Sequence, residues 1–129
     1  MLLTIHESSS EPLHGQISRQ IRARILAGRL TAGDALPSIR TLARSHRVST
    51  ITIRRAYEDL AREGLVHARQ GKGFFVAELT GRKKMALARE RLIEALEPVI
   101  REAQSQGLSQ AQMRAVLDTL LEEKGDERE

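Results

Sequence analysis

Leu36-Pro37-Ser38-Ile39-Arg40-Thr41-Leu42-Ala43-Arg44-Ser45-His46-Arg47-Val48-Ser49-Thr50-Ile51-Thr52-Ile53-Arg54-Arg55-Ala56-Tyr57 contains two helix starts in quick succession. Ser38 and Ser49 each precede an apolar-periodic run, and a serine there accepts a hydrogen bond from the otherwise unpaired N–H groups of the first helical turn. The first helix turns Ile39, Leu42 and Ala43 inward and ends near His46. Val48 plugs the core at the turn, and the next helix buries Ile53, Ala56, Tyr57 and Leu60. No acidic side chain occurs between Asp34 and Glu58, whereas Arg40, Arg44, Arg47, Arg54 and Arg55 stand there with hydroxyls at Ser38, Thr41, Ser45, Ser49, Thr50 and Thr52. That composition suits a phosphate-facing surface, on two short helices whose geometry fits a DNA major groove. A cap at Ser49 aims Thr50, Ile51, Thr52 and Arg54 out of the helix start, so Thr50, Thr52 and Arg54 are candidates for base contact. Ile51 either touches a thymine methyl or closes the turn.

Upstream, Leu2, Leu3 and Ile5 form a short extended segment, and Pro12 suits the first residue of a helix because its missing N–H would be unpaired there. Leu13, Ile17, Ile21 and Ile25, with Leu26 beside the last, make one apolar stripe that Gly28 terminates. Arg19, Arg22 and Arg24 read as a solvated opposite face. Gly33 and Asp34 mark a turn before Leu36, and Gly64 ends the helix begun at Ser49. The run Leu65-Val66-His67-Ala68-Arg69-Gln70-Gly71-Lys72-Gly73-Phe74-Phe75-Val76 predicts a hairpin. Its glycines permit close approach of the main chain to a phosphate or the minor groove, and Arg69, Gln70 and Lys72 supply donors. His67 is packed or hydrogen-bonded in that hairpin. No acid occurs between Glu63 and Glu78, so the tip extends the positive surface. Three helices and a basic hairpin make a winged helix-turn-helix. Its DNA-binding candidates are Ser38, Arg40, Arg44, Ser49, Thr50, Thr52, Arg54, Arg69, Gln70, Gly71, Lys72 and Gly73.

The chain has 129 residues, enough for one core and a dependent tail. Residues 1–79 carry 12 Lys/Arg against 7 Asp/Glu, whereas residues 80–129 carry 9 against 10. The split assigns a polyanionic partner to the first part and another task to the second. No run approaches about 18 uninterrupted apolar residues, so a membrane is not expected. The start, Met1-Leu2-Leu3-Thr4-Ile5-His6-Glu7, lacks the features of a secretory signal, which points to the cytoplasm. Cysteine is absent, which excludes disulfides and thiolate chemistry. Two Phe, one Tyr and no Trp make a poor platform for stacking single-stranded bases, leaving duplex DNA as the expected partner. His6, His14, His46 and His67 are scattered, so no metal site is expected. No serine belongs to a nucleophile-base motif, so neither an enzyme nor a cofactor is expected. The competing reading is a winged helix serving protein interaction or nonspecific DNA binding, which would tolerate loss of the uncharged Thr50 and Thr52.

From Leu79 to Gln106, Met85, Ala88, Leu92, Ala95, Leu96, Val99, Ile100 and Ala103 recur at helical spacing, with Pro98 expected to kink the helix modestly and Gly107 to end it. Ser109 and Gln112 form a capping box for a last helix bearing Met113, Val116, Leu117, Leu120 and Leu121. A helical hairpin this small cannot hide two apolar stripes within itself, so a partner surface is required, most simply a second copy. The interface candidates are Met85, Leu92, Leu96, Val99, Met113, Leu117 and Leu120. The tail is too small to enclose a ligand within one subunit, and a small-molecule effector site at the dimer interface stays open. The whole reads as mainly α with a small β-hairpin: a winged helix-turn-helix DNA-binding domain over 1–79 and a two-helix dimerisation tail over 80–129.

Five blocks carry a resemblance: Pro12-Leu13-His14-Gly15-Gln16-Ile17, Leu36 to Ala43, Val48 to Tyr57, Glu63-Gly64-Leu65-Val66 and Gly71 to Val76. In order and spacing the chain resembles the GntR family of bacterial transcription regulators, and its short tail resembles the YtrA-type subfamily. The resemblance implies a dimer on a short palindromic operator, usually a repressor released by a small molecule, and often encoded beside ABC transporter genes. It further implies that Arg40 contacts backbone or base, that Thr50, Thr52 and Arg54 open the recognition helix, and that Gly71 and its neighbours form a wing in the minor groove. The chain departs from many relatives at His14, where they carry an aromatic residue, and at Thr50-Ile51, where they carry Pro-Asn or an arginine nearby. Operator sequence therefore does not transfer.

Overall fold

A computed structural model describes residues 1–128. Its elements are α1 (Leu13–Leu26), α2 (Ile39–His46), α3 (Thr50–Arg62), β1 (Val66–Arg69), β2 (Gly73–Val76), α4 (Gly81–Ser105) and α5 (Gln110–Arg128). The chain forms two compact units, the first spanning Met1–Met85 and the second beginning at Ala86 within α4.

The first unit is built around α3. Ile17, Ile21 and Ile25 of α1 are fully buried, as are Ile53, Ala56, Tyr57 and Leu60 of α3, and Leu42 and Ala43 of α2 close the layer. Each such large aliphatic side chain contributes about 1.5–3 kcal/mol relative to exposure. Ile39 and Val48 are only half-buried, so the plug at the turn is shallower than the pattern predicts. Tyr57 sets its ring edge-on to Phe74 at 5.2 Å between centroids and donates its hydroxyl to the Pro37 carbonyl at 2.8 Å. Burial pushes that hydroxyl pKa well above its ordinary value, so it stays a donor.

Turn chemistry fixes the joints. Pro12 lies at the cap of α1, with φ −56° and ψ 150°, rather than in its first turn. Gly28, at φ +81°, takes up the left-handed geometry that ends α1. The turn from α2 to α3 uses Arg47 in that same region, at φ 55°, a position where the sequence offered no glycine. Val48 N–H then returns to the Ala43 carbonyl at 3.0 Å, and Ser49 begins the next helix.

β1 and β2 pair antiparallel, with Val66 opposite Val76 and Arg69 opposite Gly73. The predicted turn at Gly33 and Asp34 does more than reverse the chain. Gly33 N–H donates to Val76 O, Val76 N–H to Asp34 O, and Leu36 N–H to Phe74 O, so this segment lies along the outer edge of β2.

The amino-terminal segment is held by side chains. Gln20 accepts from Thr4 N–H at 2.8 Å and donates to Thr4 O at 2.6 Å. Gln16, fully buried, pairs with both His6 N–H and His6 O, each at 2.8 Å, and Arg24 donates to Leu2 O. Residues four apart on a helix thus bind alternate residues of an extended chain, because about 6 Å of helix rise nearly matches two residues of strand. His46 Nε2 accepts from Leu3 N–H at 3.0 Å, tying the same segment to α2 while Leu3 enters the core.

Thr80 caps the start of α4 within the first unit, accepting from Lys83 N–H at 3.1 Å, and in the second unit the helix runs through Pro98 without interruption. Gly107, at φ +93°, turns the chain. The capping box is present: Ser109 Oγ accepts from Gln112 N–H at 3.2 Å, and Gln112 Oε1 accepts from Ser109 N–H at 2.8 Å.

Candidate nucleic-acid interface

The two serines that start the helices act first on their own backbone. Ser38 Oγ accepts from Thr41 N–H at 3.0 Å and donates to Thr41 Oγ1 at 2.7 Å. Ser49 Oγ accepts from Thr52 N–H at 3.1 Å and shares a 2.9 Å hydrogen bond with Thr52 Oγ1. Thr52 is half-buried and its hydroxyl is engaged in this cap, whereas Thr50 and Arg54 are exposed, with no side-chain partner among the described residues. Ile51 is 77% exposed and therefore does not close the turn.

Ion pairing sorts the arginines. Arg22 grips Glu63 with two hydrogen bonds, at 2.8 and 2.7 Å, and their side chains are only 12% and 18% exposed. Arg19 is paired with Glu11, a contact that raises its pKa, and Arg62 with Asp59. The predicted solvated face of α1 holds for Arg19, which is exposed while paired with Glu11, and is corrected for the other two: Arg22 is drawn in by Glu63 and the half-buried Arg24 holds the amino-terminal segment through the Leu2 carbonyl. Arg40, Arg44, Arg47, Arg54 and Arg55, in contrast, are exposed, and none has a carboxylate within 4.0 Å among the described residues. Arg47 and Arg55 thereby join the candidates; the signal for them was the missing acid between Asp34 and Glu58.

His14 of α1 lies 3.9 Å from Asp59 of α3. Its pKa is lowered, by burial first and by the Arg55 charge second, so the neutral ring is favoured. In the hairpin, His67 stacks on Phe75 at 6.2 Å, and the Arg69 guanidinium lies 4.7 Å above the same ring. The reading of His67 as packed is thus met by a ring contact at an exposed position. Arg69 is steered by this cation–π contact. Gln70, Gly71, Lys72 and Gly73 form an exposed tip, closed by Lys72 N–H on Arg69 O at 2.9 Å, with Gly71 and Gly73 both at positive φ.

The dimer candidates divide. Leu96, Val99, Met113, Leu117 and Leu120 line one groove between α4 and α5, about 440 Å³ in volume, together with Ile100, Ala103, Leu108 and Val116. Met85 and Leu92 are exposed outside it, and Met85 belongs to the first unit. Among the described residues no group of three or more His, Asp or Glu could hold a metal ion, and no helix is long and apolar enough to cross a membrane.

Residues 13–76 match the bacterial regulatory proteins of the gntR family. An HTH-type transcriptional regulator of Bacillus subtilis, YhcF, is 35% identical over 117 residues, covering 88% of this chain and 93% of the relative. The chain belongs to the GntR family. The B. subtilis transcriptional repressor YtrA is 35% identical over 77 residues, 60% of this chain and 59% of YtrA, in keeping with the YtrA-type resemblance. Among solved structures, a GntR family regulator from Listeria monocytogenes superposes with a TM-score of 0.74 at 28% identity, over 87% of this chain and 97% of that one. The DNA-binding domain of AraR, solved with its operator ORX1, matches with a TM-score of 0.53 at 31% identity, over 60% of this chain and 96% of that domain. These GntR relatives are transcription regulators, and the chain is a DNA-binding regulator of the same fold.

Proposed function

We propose that this regulator is a homodimer that recognises a short palindromic operator and represses transcription from it. The carrying observation is the sorting of charge: acids neutralise Arg19, Arg22 and Arg62, yet five arginines on α2, the turn and α3 have no carboxylate partner among the described residues. Unpaired guanidiniums at two capped helix starts are what phosphate and base edges require. The wing adds Arg69, Gln70 and Lys72 around glycines that admit close backbone approach. The AraR domain bound to its operator supports duplex DNA as the partner, and the repressor YtrA supports repression. An ABC transporter operon as the target rests on the YtrA-type resemblance alone. Dimerisation is supported by the apolar groove between α4 and α5, which a second copy would cover.

The test is fluorescence anisotropy with duplex DNA from the region upstream of its own gene, against scrambled DNA of equal composition, at two salt concentrations. The expected result is a preference for the native duplex that survives added salt, with two chains bound per site. Equal binding that collapses with salt on both duplexes, followed by failure of selection from a random pool to enrich any sequence, would overturn sequence-specific regulation in favour of a nonspecific or protein-binding role.

A further inference from the structure

The geometry points to Ile51 as a specificity-determining residue that reads the C5-methyl group of a thymine in the major groove of the operator. The inference rests on the proposed reading of this chain as a sequence-specific DNA binder. Ile51 lies in the first turn of α3 and is 77% exposed. Successive helical residues are about 100° apart, so Ile51 is roughly 200° around the helix from Ile53, the first residue of the buried stripe. It contributes nothing to the core made by Ile53, Ala56, Tyr57 and Leu60. It also does not close the turn, where Val48 is the half-buried apolar residue.

Its neighbours define what covers it. Arg54 and Arg55 follow three and four positions later on the same face, both exposed and without carboxylate partners among the described residues. Thr50 beside it is exposed, and its hydroxyl has no partner among the described residues. An apolar partner protein would have to bury these two guanidiniums unpaired, whereas DNA supplies their anionic and acceptor partners together with an apolar group. In the major groove that apolar group is the thymine methyl. Ile51 and Arg54 are separated by about 4.5 Å along the helix axis and stacked bases by about 3.4 Å, so the thymine lies within about one or two base pairs of the base facing Arg54.

The experiment exchanges each thymine of the selected operator duplex, one at a time and in both half-sites, for uracil. Uracil keeps every hydrogen-bonding group of thymine and removes only the methyl. Wild-type protein should bind about fourfold more weakly when the relevant thymine is exchanged, the factor expected for one buried carbon. Ile51→Ala should bind the thymine and uracil duplexes equally while keeping the wild-type salt dependence, since no charge is altered. Uniform affinity of the wild type across all uracil duplexes would overturn the role of Ile51 and leave the operator reading intact. Methyl sensitivity that persists in Ile51→Ala would also overturn it, by assigning the contact to another residue. If selection enriches no sequence at all, the underlying reading fails and this inference falls with it.

Discussion

Two arginines of the first unit show how burial and pairing separate structural from functional charge. Arg22 is nearly enclosed and bidentate on Glu63, so removing it takes two charge-assisted hydrogen bonds from a largely buried carboxylate. Arg22→Ala should lower unfolding stability by about 2 kcal/mol, read from urea denaturation, a value reduced from the fully buried case because some solvent reaches the pair. Arg54→Ala should leave stability within about 0.5 kcal/mol but cost about 1–3 kcal/mol of operator binding and relax sequence preference. Equal losses on operator and random DNA would refute the base contact. Arg40→Ala and Lys72→Ala should instead weaken all DNA alike and reduce the salt slope by about one. His14 adds a pH dependence whose sign follows from its environment. Its folded pKa is lowered below the unfolded value, so its contribution is complete above about pH 6.5 and is lost as pH falls through the folded pKa. Denaturation midpoints at pH 5.5 and 7.5 should therefore diverge more for the wild type than for His14→Gln; an unchanged difference would show that other groups carry the acid sensitivity.

At the scale of elements, α3 depends on a cap that carries no charge. Ser49→Ala removes the acceptor for Thr52 N–H and releases the Thr52 hydroxyl, so stability should fall by about 1 kcal/mol and operator affinity should fall with it. Ser49→Asp, which restores an acceptor, should recover the melting temperature but weaken DNA binding by adding a negative charge beside the phosphates. Recovery of both would mean that Ser49 lies away from the DNA. The caps, the helices and the hairpin were legible in the sequence because each is written locally: a serine before an apolar period, a glycine after it, two short apolar runs around a glycine tip. What escaped was written in long-range polar contacts, which leave no period. Arg24 read as part of a solvated face, and Gln16 and Gln20 belong to no apolar or charged pattern, yet the three bind alternate residues of the amino-terminal segment. Gly33 to Leu36 gave no strand pattern, yet they lie along β2. Arg47 adopts positive φ without being glycine, and the nearby absence of acids identified its charge but not its conformation. For the candidate site, the missing acids located the cations and the serines located the caps, whereas only side-chain geometry could show that Thr52 spends its hydroxyl on the Ser49 cap and that Arg22 belongs to an ion pair.

For the whole molecule, the proposed dimer must take the spacing of its two recognition helices from whatever joins two chains, and the α4–α5 hairpin offers an apolar surface for it. Leu117 lines the groove with Leu96, Val99, Met113 and Leu120, and it remains 44% exposed in the single chain. An aspartate there is tolerated in a monomer, where water reaches it, but becomes an unpaired charge once a second copy covers the groove. Leu117→Asp should therefore keep its helical circular dichroism and sediment as a monomer at concentrations where the wild type is a dimer. Separated winged domains each hold a half-site without the effective concentration that linkage supplies, so operator binding should weaken at least about a hundredfold while binding to an isolated half-site changes little. A matching change in the DNA makes the same argument from the other side. Inserting about 5 base pairs between half-sites turns one to the opposite face of the duplex, and should abolish dimeric binding by the wild type while leaving the Leu117→Asp variant indifferent. A variant that still sediments as a dimer would place the subunit contact elsewhere, and Met85 and Leu92, exposed outside the groove, would be the next residues to replace.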